Sequence, residues 1–231
     1  MWISRMIDAE PVVGFGDVFC TFRRSAMRLY APLALVGVFL FMTQPMLRIQ
    51  DSKTEKERAI AEIKKLGGEI EVDTKSPDMP VVGVNLKHVK EVDASLEHLK
   101  GLTELQRLIL KDTEVTDDGI VYIKGLTNLE VLELSRTKVT DKGLDHLKGF
   151  TKLRRLDLGG TEVTDKGLER LKKLTSLDTL SLEKTTGVSD FGLVHLKPLT
   201  NLRKLNLAGT RVTDAGVRDL QKALPKLEII H

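Results

Sequence analysis

Apolar and polar positions in this chain repeat in one fixed order. Leu105-Gln-Arg-Leu108-Ile-Leu110 has counterparts at Leu129 to Leu134, Leu153 to Leu158, Leu177 to Leu182 and Leu202 to Leu207, spaced by 24 residues apart from one spacing of 25 between Leu177 and Leu202. Self-similarity at such a period is the signature of a solenoid. Within a unit, Leu108 and Leu110 alternate with Ile109, which predicts a short strand with both leucines on one face. Thr116-Asp117 then offers an N-cap, and residues 119–123 suit one or two helical turns. Gly101, Gly125 and Gly149 stand where a left-handed residue would stop each helix. A single unit cannot bury its apolar face alone. Stacked units share one core, and their strands pair as a parallel sheet.

Thr113, Thr137, Thr161, Thr185 and Thr210 each follow the last strand leucine by three residues. Their hydroxyls are expected to bond turn backbone between neighbouring coils, since buried polar backbone needs a partner. A row of nucleophilic threonines is the alternative, and no adjacent base supports it. The longer turn from Thr185 to Asp190 reads as drift in repeat length.

These residues carry a resemblance. The pattern L-x-x-L-x-L-x-x-T followed by T-D-x-G-L resembles the leucine-rich repeats of the F-box and ribonuclease-inhibitor-like group, and still more the short 24-residue repeats of bacterial envelope proteins. The resemblance covers residues 81–231 and implies an α/β leucine-rich-repeat solenoid, with parallel strands on the concave face and short helices on the convex face. It is specific for fold and weak for function.

Ahead of the repeats the pattern changes. Residues 1–28 show neither period. Residues 29–47 are 19 residues without a charge, preceded by Arg23, Arg24 and Arg28, which predicts a transmembrane anchor or signal sequence in an N-in, C-out orientation. Met27 would make a good start for such a segment, so residues 1–26 are expected to lie upstream of the true start. Ala59, Ile60, Ile63 and Leu66 form a narrow apolar stripe on a charged helix that Gly67-Gly68 ends, and Glu69-Ile-Glu-Val72 alternates like a strand. Residues 51–80 are therefore expected to form an N-terminal helix-plus-strand cap over the open end of the core. Val81-Val-Gly-Val84-Asn-Leu86 opens a degenerate first unit. Counting it gives six units and a terminal half-unit at residues 227–230, without an obvious C-terminal cap.

Charge changes the picture little. The chain of 231 residues has a formal net charge of +3. Residues 1–50 hold five Arg and three acids, leaving 31 basic and 30 acidic residues elsewhere, with no cationic cluster of the kind nucleic acid requires. Cys20 is the single cysteine and cannot form a disulfide within the chain. His98, His146 and His195 recur at one helical position in alternate units, about 10 Å or more apart, too far to share zinc. Asp117, Asp141, Asp165, Asp190 and Asp214 fall in register, where helix capping and the helix dipole explain them better than a calcium ladder. No phosphate loop and no nucleophile–base pair is recognisable, so the reading is a non-enzyme without cofactor or metal.

What is left is surface. Side chains flanking the second strand leucine face the concave side and vary from unit to unit while the leucines do not. One row reads Gly83, Arg107, Val131, Arg155, Thr179, Lys204; the next reads Asn85, Ile109, Glu133, Asp157, Ser181, Asn206; a third reads Lys87, Lys111, Ser135, Gly159, Glu183, Ala208. Their polarity suits a protein or peptide ligand, and the lack of aromatics disfavours sugar or base stacking. Arg107, Lys111, Glu133, Arg155, Asp157, Glu183, Lys204 and Asn206 are the candidate contacts, with Arg107 and Arg155 leading. An ordinary solvated face with ion pairs such as Arg155 with Glu133 is the plainer alternative. The expected function is a monomeric protein-binding scaffold of the cell envelope, held in the membrane by residues 29–47 with its repeats outside the cytoplasm, or secreted. A cytosolic F-box-type adaptor of a ubiquitin ligase and a regulator or inhibitor of a hydrolase are the rivals. Residues 1–80 do not resemble an F-box.

Overall fold

The structure is a computed structural model that describes residues 55–231 apart from position 91. Helix α1 runs through residues 55–65, and Gly67, with φ of 76°, turns the chain back at its end. Strand β1 (Glu69–Val72) follows and pairs antiparallel with β2 (Val81–Asn85). From β2 onward every strand pairs in parallel with the next. These are β3 (Arg107–Ile109), β4 (Val131–Glu133), β5 (Arg155–Asp157), β6 (Thr179–Ser181), β7 (Lys204–Asn206) and β8 (Glu228–Ile230). The eight strands lie in one sheet in sequence order. Between them run the short helices α2 (Asp93–Leu96), α3 (Asp117–Ile123), α4 (Asp141–Leu144), α5 (Asp165–Leu171), α6 (Asp190–Leu193) and α7 (Asp214–Ala223).

The register aligns Val84, Leu108, Leu132, Leu156, Leu180, Leu205 and Ile229 across the sheet. From Val84 to Leu205 all are buried in one continuous core, and Ile229 packs against it. Strand residues on either side of this spine face out on the concave side. Ala59 and Ile63 of α1 are buried against the first coil, where Gly68 lies close to Leu86 and Ile63. The helix thus covers the end of the core and leaves the strand face clear.

Each helix start explains the T-D-x-G signature. The side chain of Thr116, Thr140, Thr164, Ser189 or Thr213 accepts from a backbone N–H of its own first turn. The following Asp is not the cap, as the sequence suggested, but a link to the next coil. Asp117 accepts from the N–H of Thr140 at 2.8 Å, from its hydroxyl at 2.6 Å and from the N–H of Gly143 at 2.9 Å. Asp93, Asp141, Asp165 and Asp190 repeat the first two bonds with the next coil's Thr or Ser. Glycine two residues after the Asp is required because a Cβ on Gly119, Gly143, Gly167, Gly192 or Gly216 would run into the preceding coil's carboxylate.

Several expectations need correction. The threonines after the strands mostly bond within their own coil: Thr113, Thr137, Thr161 and Thr210 donate to the carbonyls of Leu110, Leu134, Leu158 and Leu207 at 2.6–2.7 Å. Thr185 alone among them reaches the previous coil, at Leu158 O, 3.0 Å. In its longer turn Gly187 bridges to Thr164 of the coil before, as Arg211 does to Ser189 in the next turn. Gly101, Gly125 and Gly149 do not adopt positive φ. Within the repeats the left-handed positions lie instead after the strands, at His88, Asp112, Arg136, Gly160, Lys184 and Gly209.

The fold class is corrected in one larger respect. Among the described residues no helix is long and apolar enough to cross a membrane. The whole of α7 would span about 15 Å at ~1.5 Å per residue, half of a hydrocarbon core of ~30 Å, and the described part of α1 is of similar length. The described solenoid holds no anchor helix, so the expected fold class is corrected to the solenoid alone, and the membrane partner and envelope placement draw no support from it. Residues 1–28 and 29–47 lie outside the described residues.

Candidate functional site

The parallel register brings the three variable rows together on the inner curve. Arg107, Arg155 and Lys204 occupy one row, exposed, two strands apart from one another. Glu133, Asp157 and Asn206 occupy the parallel row, half-buried. Lys111 and Glu183 follow two residues beyond β3 and β6. All eight candidate residues therefore share one face. They do not share one environment.

At the N-terminal end the surface is closed by its own charges. Glu71 lies across Gly83 and accepts from Arg107 Nη1 at 2.6 Å; a Cβ at Gly83 would stand 2.7 Å from the Glu71 carboxylate. Glu69 accepts from Asn85 Nδ2 at 2.9 Å. Both glutamates come from β1 and extend the concave face by one strand. They were missed as surface residues although their alternation in Glu69-Ile-Glu-Val72 was legible, because reading them as part of a cap hid their face. Arg107, a leading candidate contact, is consequently already paired.

Further along, Arg155 Nη2 stands 3.6 Å from Glu133 Oε1, which is the ion pair the sequence suggested. Asp157 takes the N–H of Gly159 at 3.0 Å, and Asn206 takes that of Ala208 at 3.0 Å. Glu183 pairs with its neighbour Lys184 at 3.3 Å. Lys111 and Lys204 have no ion-pair partner among the described residues. The short side chains of Thr179 and Ser181 leave a depression of about 340 Å³ floored by Leu156, Leu180 and Leu205 and bounded by Arg155, Lys204 and Ile230.

Among the described residues no group of three His, Cys, Asp or Glu side chains could hold a metal ion. His98, His146 and His195 lie on the helical side, in 3₁₀ turns that follow α2, α4 and α6. The carboxylates of the helix ladder are occupied by hydrogen bonds from the next coil. That pairing holds the carboxyl of Asp190 below its ordinary range, chiefly through the Thr213 hydroxyl and then its N–H, against a smaller opposing effect of burial.

Coil geometry of this kind can be compared with known families. A family model described as leucine rich repeat matches residues 94–163, and a second of the same description matches residues 199–220. These two stretches are similar to leucine-rich repeats. The repeats of the chain resemble those of internalin C2 from Listeria monocytogenes, with 29% identity over 58% of this chain and 55% of that one and a TM-score of 0.44. They also resemble an internalin (inlF) of the same organism, with 21% identity over 68% of this chain and 51% of that one and a TM-score of 0.49. This chain spans about half the length of either internalin. Neither superposition is close enough to transfer a ligand. Among curated proteins none matches.

Proposed function

We propose that the leucine-rich-repeat domain is a non-catalytic binding module that takes a protein or peptide on its concave strand face. The observation that carries this reading is the contrast within each strand. The central spine residue is apolar in every coil, while its two outward neighbours change from coil to coil without disturbing the core. Such a face is free to be shaped by a ligand. Arg107, Lys111, Glu133, Arg155, Asp157, Glu183, Lys204 and Asn206 supply its polar contacts. The test is cross-linking in intact cells followed by capture with the paired variant Arg107→Ala and Arg155→Ala. The expected result is loss of the captured partner from this variant and retention by Lys142→Ala with Lys166→Ala on the helical side. Retention of every partner by the concave variant contradicts the reading.

A further inference from the structure

The two ends of the concave face differ in what they leave unsatisfied. Between β1 and β3 the charges are spent on one another, as the Glu71–Arg107 pair at 2.6 Å and the Glu69–Asn85 bond at 2.9 Å show. Between β5 and β8 they are not. Arg155 has only the distant Glu133, with more than half of its side chain exposed. Lys204 is exposed and unpaired among the described residues, although Glu228 stands beside it in the register. Thr179 lies between these two cations, and its short side chain lines the depression. Strands ~4.8 Å apart place Arg155 and Lys204 ~10 Å apart, with Thr179 midway, so both long side chains can converge on one anion above it. The second feature of this end is apolar: Ile230 is 63% exposed at the margin of the same depression.

We infer that the ligand engages the C-terminal half of the concave face, and that it is a protein segment presenting a carboxylate side chain to Arg155 and Lys204 with an apolar side chain on Ile230. This rests on the concave binding proposed above and assigns its centre and its chemistry. Two strand spacings along the sheet and two residues across it separate the Thr179 position from Ile230 by ~12 Å, which an extended segment covers in three to four residues at ~3.4 Å each. Glu228 fixes the direction. A ligand carboxylate is drawn to the space between the cations and repelled from the far side of Lys204. Asp157 is turned to its own turn by the Gly159 N–H, and Ser181 leaves room for the ligand backbone between the rows.

The test uses the full chain and an octapeptide of Ser and Thr with Glu at its third position and Leu at its seventh, beside one with Lys in place of Glu and one with Ser in place of Leu. Binding is read by fluorescence anisotropy and located by amide chemical shifts. The expected result is saturable binding of the Glu–Leu peptide that shifts Thr179, Ser181 and Ile230, weakens at least ten-fold with either altered peptide, and weakens at least ten-fold in Lys204→Glu but not in Lys87→Glu. Equal or tighter binding of the Lys peptide overturns the inference. Shifts confined to β2, β3 and β4 overturn the assigned centre and leave concave binding standing. Shifts confined to the helical side, or none with any peptide, overturn both.

Discussion

The carboxylate of Asp117 holds Thr140 of the following coil by two bonds, at 2.8 Å from the backbone N–H and 2.6 Å from the hydroxyl. Thr140 uses the same hydroxyl to accept the N–H of Lys142 at 3.3 Å, so one side chain starts its own helix and ties that helix to the coil before. The relation recurs from Asp93 to Thr213 and makes a polar ladder outside the leucine core.

Removing one rung should be costly. Asp117→Ala would leave the N–H groups of Thr140 and Gly143 without acceptors in a part-buried site, where each unsatisfied donor costs about 1–3 kcal/mol. A loss of about 2–4 kcal/mol in urea unfolding is expected. A loss below about 0.5 kcal/mol, the range of an ordinary surface change, would contradict the ladder.

Glycine in the ladder is there for space. Gly143→Ala should destabilise the chain by about 1–3 kcal/mol through overpacking, because its Cβ meets Asp117 Oδ1. In the Asp117→Ala background the same change should cost less, since the clash has gone. A double-mutant cycle with additive effects would contradict the contact.

The pH dependence has a defined sign at Asp190. Its carboxyl is held below the ordinary value by the hydroxyl and N–H of Thr213. A carboxylate depressed in the folded state adds stability that is fully present above the unfolded value of ~3.9 and is lost as pH falls through the folded one. Carbon-13 NMR titration should place Asp190 below ~3.9, and Thr213→Val should move it upward. A titration unchanged by Thr213→Val would show that the hydroxyl does not matter.

Two phenylalanines should behave oppositely. Phe150 is fully buried at a position that carries leucine in other coils, whereas Phe191 is 84% exposed. Phe150→Ala should cost about 3–5 kcal/mol, and Phe191→Ala should stay within about 0.5 kcal/mol. Comparable losses in chemical denaturation would contradict the packing.

Much of this was legible in the sequence, and most of the remainder was hidden for one reason. Leu108, Leu132 and Leu156 declare the period, the strand and the side that goes inward, and this places Arg155 and Lys204 on one face without further information. Contacts within a unit could be read in the same way, such as Thr116 as a helix cap. Contacts between coils could not be told from local ones, because residues 24 positions apart in a repeat look alike whichever coil they touch. Asp117 therefore read as a capping residue and Thr113 as a bridge, when the bridging belongs to Asp117. A sharper signal existed in Gly119, Gly143, Gly167, Gly192 and Gly216. Glycine inside a helix costs about 1 kcal/mol, and its return at one position in five units marks a close approach. The pairing of Arg107 with Glu71 depended on β1 folding back antiparallel, which no repeat announces.

The most direct measurement places a photoreactive side chain at Ser181, on the concave face, or at Glu169, on the helical side, in the full chain in its native cells. A discrete cross-linked protein from Ser181, absent from Glu169 and lost on adding Lys204→Glu, is the predicted result. The same adduct from both positions, or from Glu169 alone, would contradict concave binding.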